Sequence, residues 1–353
     1  MQEAVQFKLG SWLVNERAQS NAWMFAAVLV LCTLGCALFA SWLPLQVSIV
    51  TVFLFAGPHN WFELRYFLMR MPVRFGRSRN FFLTAFAGLG TLTITYASLP
   101  LLYRAALWSE EGWLTIIAIW NTLLLSWLGL LVWQRSKQKT KSNWFWVLPV
   151  ALALGAFNWL TPEFFSLILI YVHPLVAMAF LDRHLRRNRP TWLRTYRSCL
   201  VLPLFVLALM IWRLSQTTSL ADDNGLFWRI TQHSGAELLP FVSSHLLVSV
   251  HLYLEMLHYG VWLLALPLLG PLVMGNGTRS NPYARVWDLK TVPLARHPLG
   301  FPKAVAIALG VGVVLVLMLW LGFSVNYATT RDIYFTIAMA HVMAEAPFLL
   351  RMI

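Results

Sequence analysis

The sequence predicts an all-α fold, a polytopic integral membrane bundle of about ten transmembrane helices with both termini cytoplasmic. Three observations carry this reading. The 353-residue chain is 59% hydrophobic and only 12% charged, with a mean hydropathy of +0.64, which excludes a soluble globule. Its apolar segments are long and do not alternate, so they do not form the short period-two strands of a membrane β-barrel. Lys and Arg are concentrated in every second connection between apolar runs, the pattern that fixes orientation in a membrane.

The elements follow in order. Residues 1–20 mix Phe7, Leu9, Trp12 and Leu13 with Lys8, Glu16 and Arg17, and read as an interfacial helix or a tail preceding one transmembrane bundle over 21–353. Apolar runs occur near 21–42, 45–69, 81–103, 112–133, 144–160, 163–182, 198–213, 238–270, 303–325 and 332–350. The fifth is short, and the eighth is long and broken by Pro267 and Gly270. No small-residue cleavage site follows the first run, so it reads as a retained span. Cys32, Cys36 and Cys199 lie in or beside apolar runs and form neither a disulfide framework nor a thiolate zinc pattern.

The basic connections carry Arg70, Arg74, Arg77 and Arg79; Arg135, Lys137, Lys139 and Lys141; the six arginines from Arg183 to Arg197; and Arg279, Arg285, Lys290 and Arg296. The intervening connections hold Glu110, Glu111, Glu163, Asp222, Asp223 and Asp332. An even number of spans with both ends inside satisfies this alternation, and a multi-pass location in a bacterial inner membrane is the expectation. The net charge of +13 is accounted for by these loops, so no nucleic-acid partner is expected.

The polar residues within the spans point to chemistry, because a charge at mid-bilayer costs on the order of 3 kcal/mol even on the lenient insertion scale. They fall on even-numbered spans: His59 and Glu63 on the second, His173 and Asp182 on the sixth, His245, His251, Glu255 and His258 on the eighth, His341 and Glu345 on the tenth. Odd-numbered spans hold no His, Asp or Glu in their apolar interiors. A turn of about 100° per residue puts His251, Glu255 and His258 on one stripe, with His245 about 120° away. Three of the pairs share the spacing His-x-x-x-Glu: His59/Glu63, His251/Glu255 and His341/Glu345. One turn apart, such a pair supplies two ligands to an ion, or lets the carboxylate orient the imidazole.

The candidate metal ligands are therefore His59, Glu63, His173, His251, Glu255, His258, His341 and Glu345, with Glu255 and Tyr259 as candidate catalytic proton carriers. Glu255-x-x-His258 has the spacing that di-iron carboxylate bundles use twice, but it occurs once here. Imidazole-rich ligation suits iron, copper, manganese or zinc and disfavours magnesium or calcium. Iron, mono- or dinuclear, is the expected metal. The alternative for each acid is a protonated carboxyl bonded to a backbone carbonyl, and for His245 an interhelical hydrogen bond. Pro58 and Pro174 adjoin His59 and His173, and each removes one helical hydrogen bond, so each can kink its helix toward a cavity.

The stretch Phe55-Ala-Gly57-Pro58-His59-Asn-Trp-Phe-Glu63 resembles the Gly-x-Pro-His-Gly-x-x-Asp signature of the Brp/Blh-type β-carotene 15,15′-dioxygenases. That resemblance covers about one helix, and it lacks the glycine after the histidine. It implies a polytopic membrane enzyme that holds iron through histidines and cleaves a carotenoid with dioxygen, with His59 as an iron ligand and Glu63 where the family has Asp.

The expected function is a membrane metalloenzyme, an oxygenase or oxidase acting on an apolar lipid or isoprenoid substrate from the bilayer, with a redox partner or a homo-oligomer as possible associations. A proton-coupled transporter with a Glu/His relay and a haem-binding electron carrier are the alternatives. An intramembrane metalloprotease fits poorly, because His-Glu-x-x-His is absent.

Overall fold

A computed structural model describes residues 2–104, 109–139, 144–221, 223, 225–269 and 284–352. Lys141, Asp222, Gly270 and Arg279, used in the reading of loops and breaks, lie outside the described residues. Among the described residues the chain is helical, with no strand. The helices are α1 (Gln2–Trp42), α2 (Pro44–Arg70), α3 (Arg79–Arg104), α4 (Glu110–Gln138), α5 (Val147–Leu160), α6 (Pro162–Asn188), α7 (Leu193–Cys199), α8 (Val201–Leu214), α9 (Leu226–His233), α10 (Ser244–Gly260), α11 (Leu266–Leu268), α12 (Pro293–Arg296), α13 (Pro302–Val325) and α14 (Tyr327–Leu350). Residues 2–20 continue into the first span without a break in the helix.

Each expected span contains a helix, the eighth beginning only at Ser244 and not at 238, and among the described residues eight segments are long and apolar enough to cross a membrane. The chain is a multi-pass, all-α membrane protein. The two expected spans outside that set are α2 and α5. At 14 residues, α5 is about 21 Å long against a hydrocarbon core of about 30 Å. The 27 residues of α2 have the length, but the second half carries His59, Asn60, Glu63 and Arg65, which lowers its hydropathy.

The chain divides into two compact units, with the divisions falling inside α2 and α6. The first contains residues 1–51 and 174–283. Here α10 packs on α1 and α8: His245 Nε2 donates to the Ser41 carbonyl at 2.8 Å, and the Tyr253 hydroxyl donates to the Pro203 carbonyl at 3.1 Å. Leu45, Ile230 and Val248 form one core cluster. Most residues of the span containing α10 are buried, 83% of its apolar window against 11–33% for the other spans. It ends in a π-turn over Val261–Ala265, followed by α11. Pro267 explains that widening, because its ring clashes with the carbonyl four residues before it and it has no N–H to donate.

The second unit contains residues 52–173 and 284–353. In it α2 and α14 run side by side in one direction with an almost constant register. Val52 and Ala56 pack with Tyr334 and Ala338, Phe67 stacks on Phe348 at 4.3 Å, and Arg351 Nη1 donates to the Arg70 carbonyl at 3.1 Å. The opposite face of α2 packs on α13. Trp61 Nε1 donates to the Leu309 carbonyl at 2.9 Å, and a Cβ on Gly312 would lie 2.8 Å from the Trp61 ring, so glycine is required for this approach. Two residues along a helix are about 200° apart, so Gly57 and Trp61 on α13 leave His59 and Glu63 directed at α14.

Candidate metal centre

Between the apolar ends of the α2–α14 seam lies a polar step. His59 and Glu63 on α2 stand level with His341 and Glu345 on α14, and His173 of α6 joins them from the same unit. The rings of His59 and His341 meet edge to face at 5.2 Å, and those of His173 and His341 at 4.9 Å. His59, Glu63 and His341 each bring one ligand atom within 4.8 Å of the other two. His173 and His341 approach Nε2 to Nε2 at 3.1 Å, while His173 Nδ1 lies 3.1 Å from Glu345 Oε2. Glu63 and Glu345 are both 1% exposed.

Hydrogen placement follows from the partners. His59 Nδ1 faces the Phe55 carbonyl at 3.0 Å, and a carbonyl only accepts, so Nδ1 carries the hydrogen and Nε2 keeps the lone pair. Glu345 Oε2, an acceptor, lies 3.1 Å from His173 Nδ1, and a hydrogen placed on that nitrogen leaves the Nε2 lone pair toward His341. A histidine that donates one ring N–H to a carboxylate or carbonyl and presents the other nitrogen is the usual arrangement of a metal ligand.

The carboxylates fit the same arrangement. Among the described residues neither oxygen of Glu63, nor Glu345 Oε1, has a hydrogen-bond partner, and no Lys or Arg pairs with either acid. The nearby cation Arg65 is committed elsewhere, with Nε donating to the Val286 carbonyl at 2.6 Å and Nη2 to Thr291 Oγ1 at 2.6 Å. Two buried carboxylates without cations cost several kcal/mol unless they share a proton or meet an ion. Three imidazoles and two carboxylates are a donor set for a borderline transition metal. Ligand nitrogens 2.0–2.1 Å from one ion are about 2.9–3.4 Å apart in octahedral or tetrahedral order, a range that contains the His173–His341 separation.

The remaining sequence candidates belong to the first unit. His251 packs edge to face with His233 at 5.2 Å. Glu255 Oε1 accepts a 2.6 Å hydrogen bond from the Tyr259 hydroxyl one turn later. His258 lies beside Tyr259 and Trp262, with ring centroids 6.0 and 6.4 Å away. His245 bonds the backbone of α1, which is the structural role weighed for it. Asp182 is bound by Arg197 at 2.8 and 3.1 Å and by Arg186 at 3.2 Å, and His184 Nε2 meets the Leu269 carbonyl at 3.0 Å. Sequence reading missed His233, which closes the short helix α9 outside the apolar runs, and it missed the Phe55 carbonyl, because backbone groups leave no signal in residue type.

Fold and site together define a class: a polytopic α-helical membrane protein with a buried His/Glu cluster on parallel helices. No family model, curated protein or solved structure matches the chain.

Proposed function

We propose that this chain is a membrane metalloenzyme that holds one or two transition-metal ions, iron foremost, through His59, Glu63, His173 and His341. In this reading Glu345 orients His173. The observation that carries it is the facing pair His173 Nε2–His341 Nε2 at 3.1 Å, backed by Glu345 and flanked by Glu63. Bound iron or copper would supply dioxygen activation for oxidation of an apolar lipid or isoprenoid. The protein's part is to keep the two acids from bulk water, to orient the imidazoles from their far nitrogens, and to present the site at membrane depth. Imidazole rings in direct contact favour a bare ion over a macrocycle. The resemblance around Gly57-Pro58-His59 supports the same class of reaction.

Ten spans with both termini cytoplasmic complete the proposal. The parallel course of α2 and α14 supports it, since second and tenth spans must run the same way. By helix parity the sequence extends the ligand set to His251, Glu255 and His258. The metal content of Glu255→Gln and His258→Ala variants tests that extension.

A second reading, proton-coupled transport, draws on the same Glu345–His173–His341 chain, which is also a proton relay. Elemental analysis and an optical spectrum of protein purified without chelators separate the two. The enzyme reading expects bound metal that is lost in His173→Ala, whereas a relay loses transport in that variant with no metal involved.

A further inference from the structure

From a different part of the first unit we infer a binding site for the phosphate-bearing headgroup of an anionic phospholipid, formed by Arg194, Arg197 and Ser198. This inference does not depend on the metal reading. A surface cavity of about 500 Å³ is lined by Pro190, Leu193, Arg194, Arg197 and Ser198. It lies where the apolar segment Pro162–Asn188 ends and Pro190–Leu214 begins, at the level of a membrane's headgroups. Its charge is one-sided: Asp182 is the one acid between residues 182 and 198, against six arginines.

Asp182 organises the pocket without neutralising it. It takes Nε and Nη2 of Arg197 and one nitrogen of Arg186. Arg197 therefore keeps Nη1 to offer, and the exposed Arg194 makes no hydrogen bond or ion pair among the described residues. Guanidinium groups bind phosphate oxygens with a geometry that lysine lacks, and basic pockets at the ends of membrane helices are a recognised form of anionic-lipid site.

A lipid is favoured over a free anion because the pocket opens onto an apolar track. Leu200 keeps helical torsions (φ −64°, ψ −19°) between α7 and α8, so the stripe continues at steps of three and four. Val201, Leu204, Phe205 and Trp212 follow, 67, 60, 63 and 68% exposed. From Ser198 to Trp212 this stripe is about 21 Å long, more than the roughly 15 Å of one leaflet's hydrocarbon. It has room for an acyl chain lying below the headgroup.

Native mass spectrometry of the full chain, with phosphatidylglycerol or phosphatidylcholine added to the detergent, tests the site. The wild type should retain phosphatidylglycerol in preference to phosphatidylcholine. Arg194→Ala should reduce that retention about fivefold, while Arg194→Lys should keep part of it and both variants should fold. Equal retention of the two lipids by the wild type, or an undiminished preference in Arg194→Ala, overturns the inference. Displacement of the lipid by millimolar inorganic phosphate overturns it as well, because the pocket would then be a free-anion site.

Discussion

His173 and His341 face each other Nε2 to Nε2 at 3.1 Å, and the other nitrogen of His173 is 3.1 Å from Glu345. Two neutral imidazoles in that position either share one hydrogen or direct two lone pairs at a cation. In the proposed reading they do the second, with Glu345 beside His173 Nδ1 orienting the ring. His173→Ala and His341→Ala should each abolish stoichiometric metal. Glu345→Gln should weaken metal affinity by about 10–100-fold without abolishing it, the effect of losing an orienting partner. Metal titration of the three purified variants checks the order.

Whereas Glu345 Oε2 lies 3.1 Å from His173 Nδ1, neither oxygen of Glu63 has a hydrogen-bond partner among the described residues. Its substitution should change sign with the metal. In chelator-treated protein Glu63→Gln removes a buried, unpaired carboxylate and should stabilise the fold by about 1–3 kcal/mol. In metal-loaded protein the same change should lower the melting temperature relative to wild type, because a ligand is gone. Thermal unfolding of wild type and Glu63→Gln, each with and without chelator, gives the four values needed.

Much of this was legible in the sequence, and residue pairs show why. His59/Glu63 and His341/Glu345 share a spacing, and ionisable side chains within an apolar run are costly enough to announce themselves. Their placement on even spans implied parallel helices, as α2 and α14 are. In the eighth span the sequence set His245 apart by its position about 120° from the His251 stripe, but it did not reveal the partner of either histidine. His245 bonds the Ser41 carbonyl and His251 packs on His233. Tertiary partners decide that difference, and they are remote in sequence. The seating of α2 on α13 was hidden for the same reason: it depends on Gly312 admitting Trp61, a contact between residues far apart in the chain.

That contact yields a prediction about positioning. Gly312→Ala would place a Cβ 2.8 Å from the Trp61 ring, whereas Gly310, on the same helix, has open space at its Cβ position. Gly312→Ala should therefore displace α2, destabilise the unit by about 1–3 kcal/mol and weaken metal binding. Gly310→Ala should change neither by a measurable amount. Chemical denaturation and metal affinity of the two variants form a matched comparison.

Orientation is checked independently. Reporter fusions in the Arg70–Arg79 and Arg183–Arg197 connections should both report the cytoplasm, and a fusion near Asp332 should report the opposite side. Opposite locations for the two arginine-rich connections would break the ten-span topology.

The central claim, a metal held by the His/Glu cluster, is tested most directly by elemental analysis of wild-type protein purified without chelators. The account predicts at least one iron, copper, manganese or zinc ion per chain, with iron foremost, and its loss in His173→Ala. Wild-type protein that is folded and free of all four metals, and that takes up none when they are supplied, would contradict it.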